Sequence, residues 1–369
     1  MDRVSPGHVR DAIVDFLSHS SVSVPLKGIE AVVVRKLGEV PRSSIRSYLN
    51  LNTPAIFERT DRGSYRLAGI SDDRVDGRAV QWTEHSEGRA RIVHADATEW
   101  LRICQPRSFH AIVTDPPYGL VEYSEKEQTK LRNGNGGGVW RIPPSFDGSQ
   151  RSPLPRFTTL GEQEISYLGR FFEMLGLLFY RVTVPGANIV VASNPLIAHY
   201  VATALSRAGL EPRGSIVRLV MTMRGGDRPK NAHQEFNDVS VLPRSMWEPW
   251  LVFRHPLEGR VQDNLRKWKT GGFRRISGEQ PFGDVIKSHP TNKKERCLAP
   301  HPSLKPQSFL RQVVSAALFL REGIVLDPFA GSGSTLAAAN HAGYESVGIE
   351  RDARYFEIAR TAVRKLSLI

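Results

Sequence analysis

The chain is poor in cysteine and has no long apolar segment. Cys104 and Cys297 are the only cysteines among 369 residues, too few for the disulfide framework of a small secreted domain. No run of about 18 apolar residues occurs, so no transmembrane helix is expected. The N-terminus "MDRVSPGHVRDAIVDFL" has no secretory apolar region or cleavage site. These absences predict a cytoplasmic protein in a reducing compartment.

Acidic residues are also in deficit. The chain has 50 Lys and Arg against 38 Asp and Glu, a net charge of +12, and its pI is about 9.9. A basic surface favours a polyanionic partner, with nucleic acid first, although a basic enzyme without such a partner remains open. The length allows one large α/β domain with a small one, or two medium domains.

Residues 1–70 are predicted to form a separate module. His8–Leu17, Gly28–Gly38 and Pro41–Asn50 have helical spacing, and Ile56–Ala68 alternates around Gly63 as a hairpin does. Three short helices and a hairpin resemble a winged helix-turn-helix. The third helix would then present Arg42, Ser43 and Arg46 to phosphates and base edges. A protein-docking module of the same fold is the alternative.

Residues 71–90 are polar and are predicted to be a linker. From Arg91 the sequence pattern predicts apolar strands that alternate with helices. The clearest strands are Arg91–Asp96, Phe109–Asp115 and Gly186–Asn194, with a strand–turn–helix–strand unit at Gly323–Glu350. This alternation predicts an α/β fold: a mostly parallel, Rossmann-like sheet with helices on both faces.

The stretch "LDPFAGSGST" (Leu326–Thr335) leaves a strand and opens a helix. Gly331 and Gly333 allow a tight turn and close approach of a ligand, and Glu350 follows 19 residues after Gly331 at the end of the next strand. The third glycine of the dinucleotide pattern and the Gly-Lys of a Walker loop are absent. The pieces resemble the S-adenosylmethionine loop of class I methyltransferases.

That resemblance implies S-adenosylmethionine as cofactor. Glu350 would hold the ribose hydroxyls, and the turn would border the remainder of the cofactor through Asp327, Phe329, Ala330, Gly331, Ser332 and Gly333. Ser332 has the alternative of a plain turn residue.

The stretch "TDPPYG" (Thr114–Gly119) follows an apolar strand, although neither proline can donate to a strand ladder. Together with "FAGSG" it resembles the amino-methyltransferases of DNA bases. An exocyclic amine is a poor nucleophile because its lone pair is delocalised into the ring. Asp115 and the carbonyl of Pro116, held by Pro117, can accept its hydrogens, and Tyr118 can stack on the flipped base. The alternative is a plain strand-terminating turn.

The catalytic stretch precedes the cofactor loop by about 210 residues, an order similar to that of the permuted β group of these enzymes. The resemblance covers roughly Arg91 to the C-terminus. It implies a catalytic half at 91–212, a target-recognition region at 213–300 and a cofactor half at 301–369. It also implies that Asp96 faces the cofactor's adenine, that Ser303 and Lys305 line its methionine end, and that Asp115 borders it.

The 213–300 region supplies charge for DNA phosphates. Its predicted DNA-binding residues are Arg224, Lys267, Lys269, Arg274 and Arg275. Trp247, Trp250 and Trp268 are as consistent with core packing as with base contacts. The spacing of His289, Cys297 and His301 fits no standard zinc set, so no metal is expected.

The leading hypothesis is a DNA methyltransferase acting on adenine N6, because Asp at position 115 goes with adenine in the permuted group more often than with cytosine. Cytosine N4 is the alternative. A non-catalytic winged-helix regulator and a methyltransferase for RNA or a protein amide are further alternatives. Double-stranded DNA is the expected partner, with association with the nucleoid through DNA, and the resemblance implies a homodimer.

Overall fold

A computed structural model of the chain places most of its predicted site residues. It describes residues 8–18, 20, 23–38, 40–53, 57–61, 63–67, 82–117, 162–220, 226, 228–229, 231–301, 303–319 and 322–369. Tyr118, Arg224 and positions 71–81 of the predicted linker lie outside these ranges. The chain divides into a large unit of residues 1–116, 169–221 and 246–369 and a small unit of residues 117–168 and 222–245.

The large unit is built on a sheet of nine strands in the described residues. Their spatial order is β10-β8-β9-β7-β6-β11-β12-β5-β4. The strands are β4 (Thr83–Glu87), β5 (Ala90–His94), β6 (Phe109–Thr114), β7 (Thr183–Ala192), β8 (Glu211–Leu219), β9 (Trp247–Arg254), β10 (Val285–Lys287), β11 (Ile324–Asp327) and β12 (Glu345–Glu350).

Helices alternate with these strands, as the pattern predicted. They are α4 (Ala97–Ile103), α5 (Glu162–Val182), α6 (Ala198–Arg207), α7 (Val261–Trp268), α8 (Lys293–Leu298), α9 (Gln307–Ala317), α10 (Ser334–Ala342) and α11 (Ala353–Ser367). No helix within the described ranges is both long and apolar enough to cross a bilayer.

The central strands β5, β12, β11, β6 and β7 are parallel neighbours. Their carboxyl ends therefore meet along one side of the sheet, which we call the carboxyl edge; the other side is the amino edge. Strand β9 runs antiparallel to β7 and to β8, and β10 is parallel to β8. As a result β8 ends, and β9 begins, at the carboxyl edge.

Burial on both faces explains the apolar central strands. Every residue of β7 is buried, as expected for a parallel strand covered by helices on both sides. The core on one face includes Val190, Trp250, Phe309, Val313 and Tyr344. Trp250, at 1% exposure, is thus a core residue, which settles one of the alternatives for the tryptophans.

The first 70 residues contain the three predicted helices and the hairpin. These are α1 (His8–Ser18), α2 (Leu26–Leu37), α3 (Arg42–Leu51) and the antiparallel pair β2 (Phe57–Asp61) and β3 (Ser64–Leu67). A two-residue strand, β1 (Val24–Pro25), pairs with β3 and was not predicted. A small core forms from Ile13, Leu17, Ile29, Val33, Ile45, Leu49 and Phe57.

Two predicted boundaries need correction. The predicted linker 71–90 contains β4, and the predicted target-recognition region 213–300 contains most of β8 and all of β9 and β10, which belong to the central sheet. The physical reason is exposure: β4 is the edge strand, and much of β8 faces solvent. Antiparallel strands of this kind keep one polar face, so their composition resembles a loop.

The β12 strand offers a test of the packing between sheet and helix α10. A Cβ at Gly348 would lie 2.6 Å from Leu336 Cδ1 and 2.9 Å from Ala330 Cβ. We expect Gly348→Ala to lower the free energy of unfolding by about 1–3 kcal/mol through overpacking. Gly278→Ala, where no atom lies within 4 Å, should stay within about 0.5 kcal/mol of wild type. Urea denaturation followed by circular dichroism checks both; equal midpoints would contradict the packing.

Candidate active site

The two sequence motifs meet at the ends of neighbouring strands. Strands β6 and β11 are paired in parallel, and Thr114 Oγ1 donates a 2.7 Å hydrogen bond to Asp327 Oδ1. Phe329 N donates to the same oxygen at 3.1 Å. The Asp-Pro-Pro turn and the glycine-rich turn therefore begin side by side at the carboxyl edge, although they are far apart in sequence.

Asp327 is buried at this junction. Burial raises the pKa of its carboxyl to about 6, against hydrogen bonds from Thr335, Thr114 and Phe329 that favour the ionised form. One oxygen of Asp327 thus connects the end of β6, the end of β11 and the start of the glycine-rich turn.

The glycine-rich turn fits closely against its surroundings. Gly333 has a φ of 84° at the start of α10, and a Cβ there would lie 2.5 Å from Val363 Cγ2. Gly331 N donates to Glu350 Oε2 at 2.8 Å, so Glu350 at the end of β12 holds the turn. Burial raises the pKa of Glu350, partly offset by backbone hydrogen bonds from Asp352 and Gly331. Only glycine combines this φ with this lack of space.

His301 and Ser332 complete the surroundings of the turn. The His301 ring packs edge-on against Tyr355 with centroids 4.4 Å apart, and a Cβ on Gly331 would lie 3.1 Å from His301 Nε2. Burial lowers the pKa of His301 below its ordinary value, and the nearby charge of Asp115 offsets this only in part. Ser332 is 2% exposed, and its Oγ has no hydrogen-bond partner among the described residues. Sequence reasoning had assigned His301 no contact with this turn.

Asp96 caps helix α4 at the same edge of the sheet. Its Oδ1 accepts hydrogen bonds from Thr98 N at 2.8 Å, Thr98 Oγ1 at 2.6 Å and Glu99 N at 3.3 Å. Its Oδ2 lies 3.7 Å from Arg351. Burial raises the pKa of Asp96, but these hydrogen bonds outweigh it and the pKa is lowered. Asp96 is therefore the N-cap of α4, and its Oδ2 lies on the side toward Arg351, which follows β12.

Four charged side chains contact one another in series, beginning with Asp115. Lys305 Nζ donates to Asp115 Oδ2 at 2.5 Å and lies 3.2 Å from Glu248 Oε1. Glu248 Oε2 in turn accepts from Arg218 at 2.8 Å. Burial lowers the pKa of Lys305, but Asp115 and Glu248 raise it above its ordinary value. Burial likewise raises the pKa of Glu248, and Lys305 and Arg218 bring it below its ordinary value.

Sequence reasoning missed Arg218 and Glu248. They lie in β8 and β9, the strands that were assigned to a basic insertion, where single charges look like solvated surface. The detectable signal was the β-branched apolar stretch "GSIVRLV" and the continuous apolar run "WLVF", which identify strands and put these charges at their ends.

The other residues of the two turns differ in exposure. Pro116 and Ala330 are buried, whereas Pro117 and Ser303 are exposed. Phe329 is partly buried, with its ring 6.4 Å from that of Phe171. Ser303 contributes a backbone N–H to His301 Nδ1 at 3.2 Å, and its predicted place at a cofactor pocket stays a prediction.

The predicted DNA-binding residues fall into two places. On α3, Arg42, Ser43 and Arg46 are exposed as predicted. Both arginines also lie near the buried Glu30, with Arg46 Nε bonded to Glu30 Oε1 at 2.7 Å and Arg42 Nε 3.9 Å from Oε2.

The remaining described DNA-binding candidates lie at the amino edge. Helix α7 is fixed to the start of β7, where Asn264 Nδ2 donates to Pro185 O at 3.0 Å. Lys267 and Lys269 follow on this helix and its cap, and Arg274 N bonds Ala316 O near the end of α9. Arg275 donates to the carbonyls of Ser277, Gly278 and Glu279. The structure does not bring these four to Asp115, which lies at the carboxyl edge.

Cys104 lies in a different environment. It lines a cavity of about 370 Å³ at the amino edge, together with Trp82, Trp100 and Phe109. Burial raises the pKa of its thiol to about 11, so the thiol is protonated at neutral pH and is no nucleophile there. Among the residues that the structure describes, no group of three or more His, Cys, Asp or Glu side chains could hold a metal ion.

Comparisons with known proteins find similarity to DNA methyltransferases. Residues 109–361 match the N6/N4 methyltransferase family model, described as DNA methylase. Type II methyltransferase M2.DpnII of Streptococcus pneumoniae is 37% identical over 277 residues, 75% of this chain and 90% of that protein. Type II methyltransferase M.HindIII of Haemophilus influenzae is 23% identical over 294 residues, 73% and 93% of the two chains. The M1.HpyAVI–SAM complex, a solved structure, is 19% identical with a TM-score of 0.42, covering 74% of this chain and 98% of that one.

The raised pKa of Asp327 predicts a pH-dependent stability. Between its ordinary value of 3.8 and about 6, the folded state keeps a proton that the unfolded state has released, so stability is lost as pH rises through this window. Asp327→Asn stays neutral and escapes this loss. The difference in unfolding free energy, variant minus wild type, should therefore be about 2 kcal/mol more positive at pH 7 than at pH 4.5. Parallel urea titrations at the two pH values measure this; a difference that does not change with pH would contradict the assignment.

Proposed function

Because the chain belongs to the family of N6/N4 DNA methylases, we propose that it methylates adenine N6 in double-stranded DNA. The enzyme is an S-adenosylmethionine-dependent DNA amino-methyltransferase. The observation that carries the proposed site is the Thr114–Asp327 hydrogen bond at 2.7 Å. It sets the Asp-Pro-Pro turn beside the glycine-rich turn, where an amine on one side would face a methyl donor on the other.

The residues of the glycine-rich turn suit this cofactor. Glu350 has two carboxylate oxygens for the ribose hydroxyls, and the buried Ser332 Oγ has hydrogen-bonding capacity that the described residues do not use. Gly331, with His301 beyond it, gives the close backbone approach that a ligand needs. Asp327, Phe329, Ala330 and Gly333 would border the cofactor, Asp96 its adenine, and Lys305 its methionine end. When bound, S-adenosylmethionine supplies an activated methyl group.

The protein's own contribution is to prepare the amine. Asp115 and the carbonyl of Pro116 would accept the two amine hydrogens, so that the nitrogen becomes more tetrahedral and its lone pair turns outward. As the nitrogen gains its methyl group it becomes positively charged, and Asp115 would take the proton that it then loses. Tyr118, outside the described residues, would stack on the base after it leaves the duplex.

The order of the motifs supports the permuted β group. The Asp115 turn follows β6, the glycine-rich turn follows β11, and β6 precedes β11 in the chain while lying beside it in the sheet. The relatives' designation as Type II methyltransferases supports a site-specific enzyme of a restriction-modification system. Asp rather than Ser at position 115 favours adenine over cytosine.

We propose a target-recognition region narrower than 213–300, because most of β8 and all of β9 and β10 lie within 213–300 and belong to the central sheet. Residues 220–246 join β8 to β9 in the chain and contain no strand of the central sheet among the described residues, so we propose that target recognition resides in this segment. The N-terminal module is proposed to be a winged helix-turn-helix whose helix α3 contacts DNA through Arg42, Ser43 and Arg46. A homodimer remains a prediction.

Two substitutions separate chemistry from cofactor binding. Asp115→Ala should reduce methyl transfer by about 10²-fold or more, because it removes the acceptor of the amine proton, and should leave cofactor affinity within about twofold. Gly331→Val should abolish cofactor binding, because a side chain there meets His301. Tritiated methyl transfer to duplex DNA and calorimetric cofactor titration measure the two effects. Near-normal turnover by Asp115→Ala would overturn the mechanism.

The same reaction identifies the base and the substrate. Mass spectrometry of nucleosides from treated DNA should show N6-methyladenine; N4-methylcytosine alone would overturn the choice of adenine. Methylation of RNA in preference to duplex DNA would overturn the choice of nucleic acid. Cofactor binding without transfer to any DNA would identify a non-catalytic regulator.

The N-terminal module gives a separate prediction. Arg42→Ala should weaken duplex binding for all sequences alike and lower the slope of log affinity against log salt by about 1, as expected for one lost phosphate contact. Arg35→Ala, which removes an exposed arginine of α2 instead, is the matched control. Fluorescence anisotropy over a salt series measures both. If Arg42→Ala and Arg35→Ala behave alike, α3 has no specific part in binding.

A further inference from the structure

We propose that Glu248, anchored by Arg218, is a positioning residue that fixes Lys305 and, through Lys305, the carboxylate of Asp115. The inference rests on the proposed role of Asp115 and extends it to two strands that carry no part of either sequence motif. It assigns a function to a charge chain in which positive and negative groups alternate from Arg218 to Asp115.

The register of the sheet determines where Glu248 lies. Arg218 of β8 and Glu248 of β9 are directly opposed cross-strand partners. Arg218 is itself fixed by three further contacts: Ser288 Oγ at 3.0 Å, His289 O at 3.1 Å and the ring of Phe309 at 5.3 Å. With one oxygen bonded to this anchored guanidinium, Glu248 presents its other oxygen to Lys305 at 3.2 Å.

Lys305 needs such a second anchor. A lysine side chain is a point charge on a flexible four-carbon stem, and one bond to Asp115 leaves that stem free to swing. The side chain is 12% exposed, so its charge is held away from water and depends on partners. Glu248 in β9 and Asp115 directly after β6 bind the same ammonium and therefore define its position.

The consequence for Asp115 is geometric. Lys305 bonds Asp115 Oδ2, and this bond takes one of the roughly four acceptor sites of a carboxylate. A fixed ammonium fixes the plane of the carboxylate. Because misplacement of a reacting group by about 1 Å can cost about 10²-fold in rate, a loosened Lys305 would act on turnover rather than on binding.

The chain contains a matched control for Glu248. Glu211 and Arg254 form an ion pair at 2.5 Å between the same two strands, also as direct cross-strand partners, but at the amino edge. Glu248→Gln and Glu211→Gln therefore remove the same charge from the same strand pair. Only the first faces Lys305.

We expect Glu248→Gln to lower kcat by about 10²-fold, with KM for DNA and cofactor affinity changed less than about threefold. Four charged or titratable groups surround Lys305: Asp115, Glu248, Arg218 and His301. Loss of Glu248 removes one of the two groups that raise the pKa of Lys305, so the alkaline limb of the pH–rate profile should move to lower pH. Glu211→Gln should leave kcat and the profile unchanged.

A double-mutant cycle with Lys305→Met separates positioning from loss of stability. If Glu248 acts through Lys305, adding Glu248→Gln to Lys305→Met should cause no further loss of kcat. The double variant loses one charge of each sign and leaves no uncompensated charge between these two residues. It can therefore be compared with Lys305→Met even if Glu248→Gln alone folds poorly. Independent losses that multiply, or an unchanged kcat in Glu248→Gln, would overturn the inference.

A readout without catalysis keeps this inference distinct from the proposed function. NMR of protein with 13Cε-labelled lysine follows the titration of Lys305, whose signal is assigned by its absence in Lys305→Met. This signal should titrate at lower pH in Glu248→Gln than in wild type. In Glu211→Gln its titration should be unchanged. An unchanged Lys305 titration in Glu248→Gln would refute the positioning. Turnover that survives Asp115→Ala would instead refute the proposed function.

Discussion

The site depends on one hydrogen bond between neighbouring strand ends. Thr114 Oγ1 and Asp327 Oδ1 join β6 to β11 where both strands stop. The bond is costly to arrange, since Asp327 is buried and its pKa is raised to about 6, and a buried carboxyl is tolerated only when hydrogen bonds satisfy it. The hydrogen bond places two turns side by side, one rich in hydrogen-bond acceptors and one rich in glycine. Without this register the two motifs would be separate turns with no shared chemistry.

Around this junction the sheet contributes charges from strands on both sides. From one side β12 brings Glu350 to the backbone of Gly331. From the other, β8 and β9 bring Arg218 and Glu248 to Lys305 and so to Asp115. A chain of buried alternating charges holds only while each member keeps its partners, because removing one leaves the next uncompensated. The site is therefore as much a property of the whole carboxyl edge as of the two turns.

The two edges of the sheet carry different features. The carboxyl edge holds Asp115 and the glycine-rich turn, in keeping with the rule that ligands of open α/β sheets bind there. The amino edge carries Lys267 on α7, and there Arg107, just before β6, bonds Asp15 of the N-terminal helix α1 at 3.0 Å. A six-residue strand such as β6 separates the two edges by roughly 20 Å. Basic residues at the amino edge are thus removed from direct contact with a base held at Asp115.

The sequence by itself determined the alternation of strands and helices, both motifs and the residue types at their turns. Continuous apolar strands, glycines that no other residue can replace and an acid before two prolines are local signals, and each is legible within about ten residues. It did not reveal β4, β8, β9 or β10 as parts of the sheet. The strands β4 and β8 are largely exposed and so have the composition of loops, β10 has only three residues, and the buried β9 stands inside a stretch rich in basic residues. Only the tertiary structure decided that Arg218 and Glu248 reach Lys305, and that Lys267 and Lys269 do not reach Asp115. The reason is that strand order and register bring together residues far apart in the chain, and no local pattern encodes which strand end a distant charge will face.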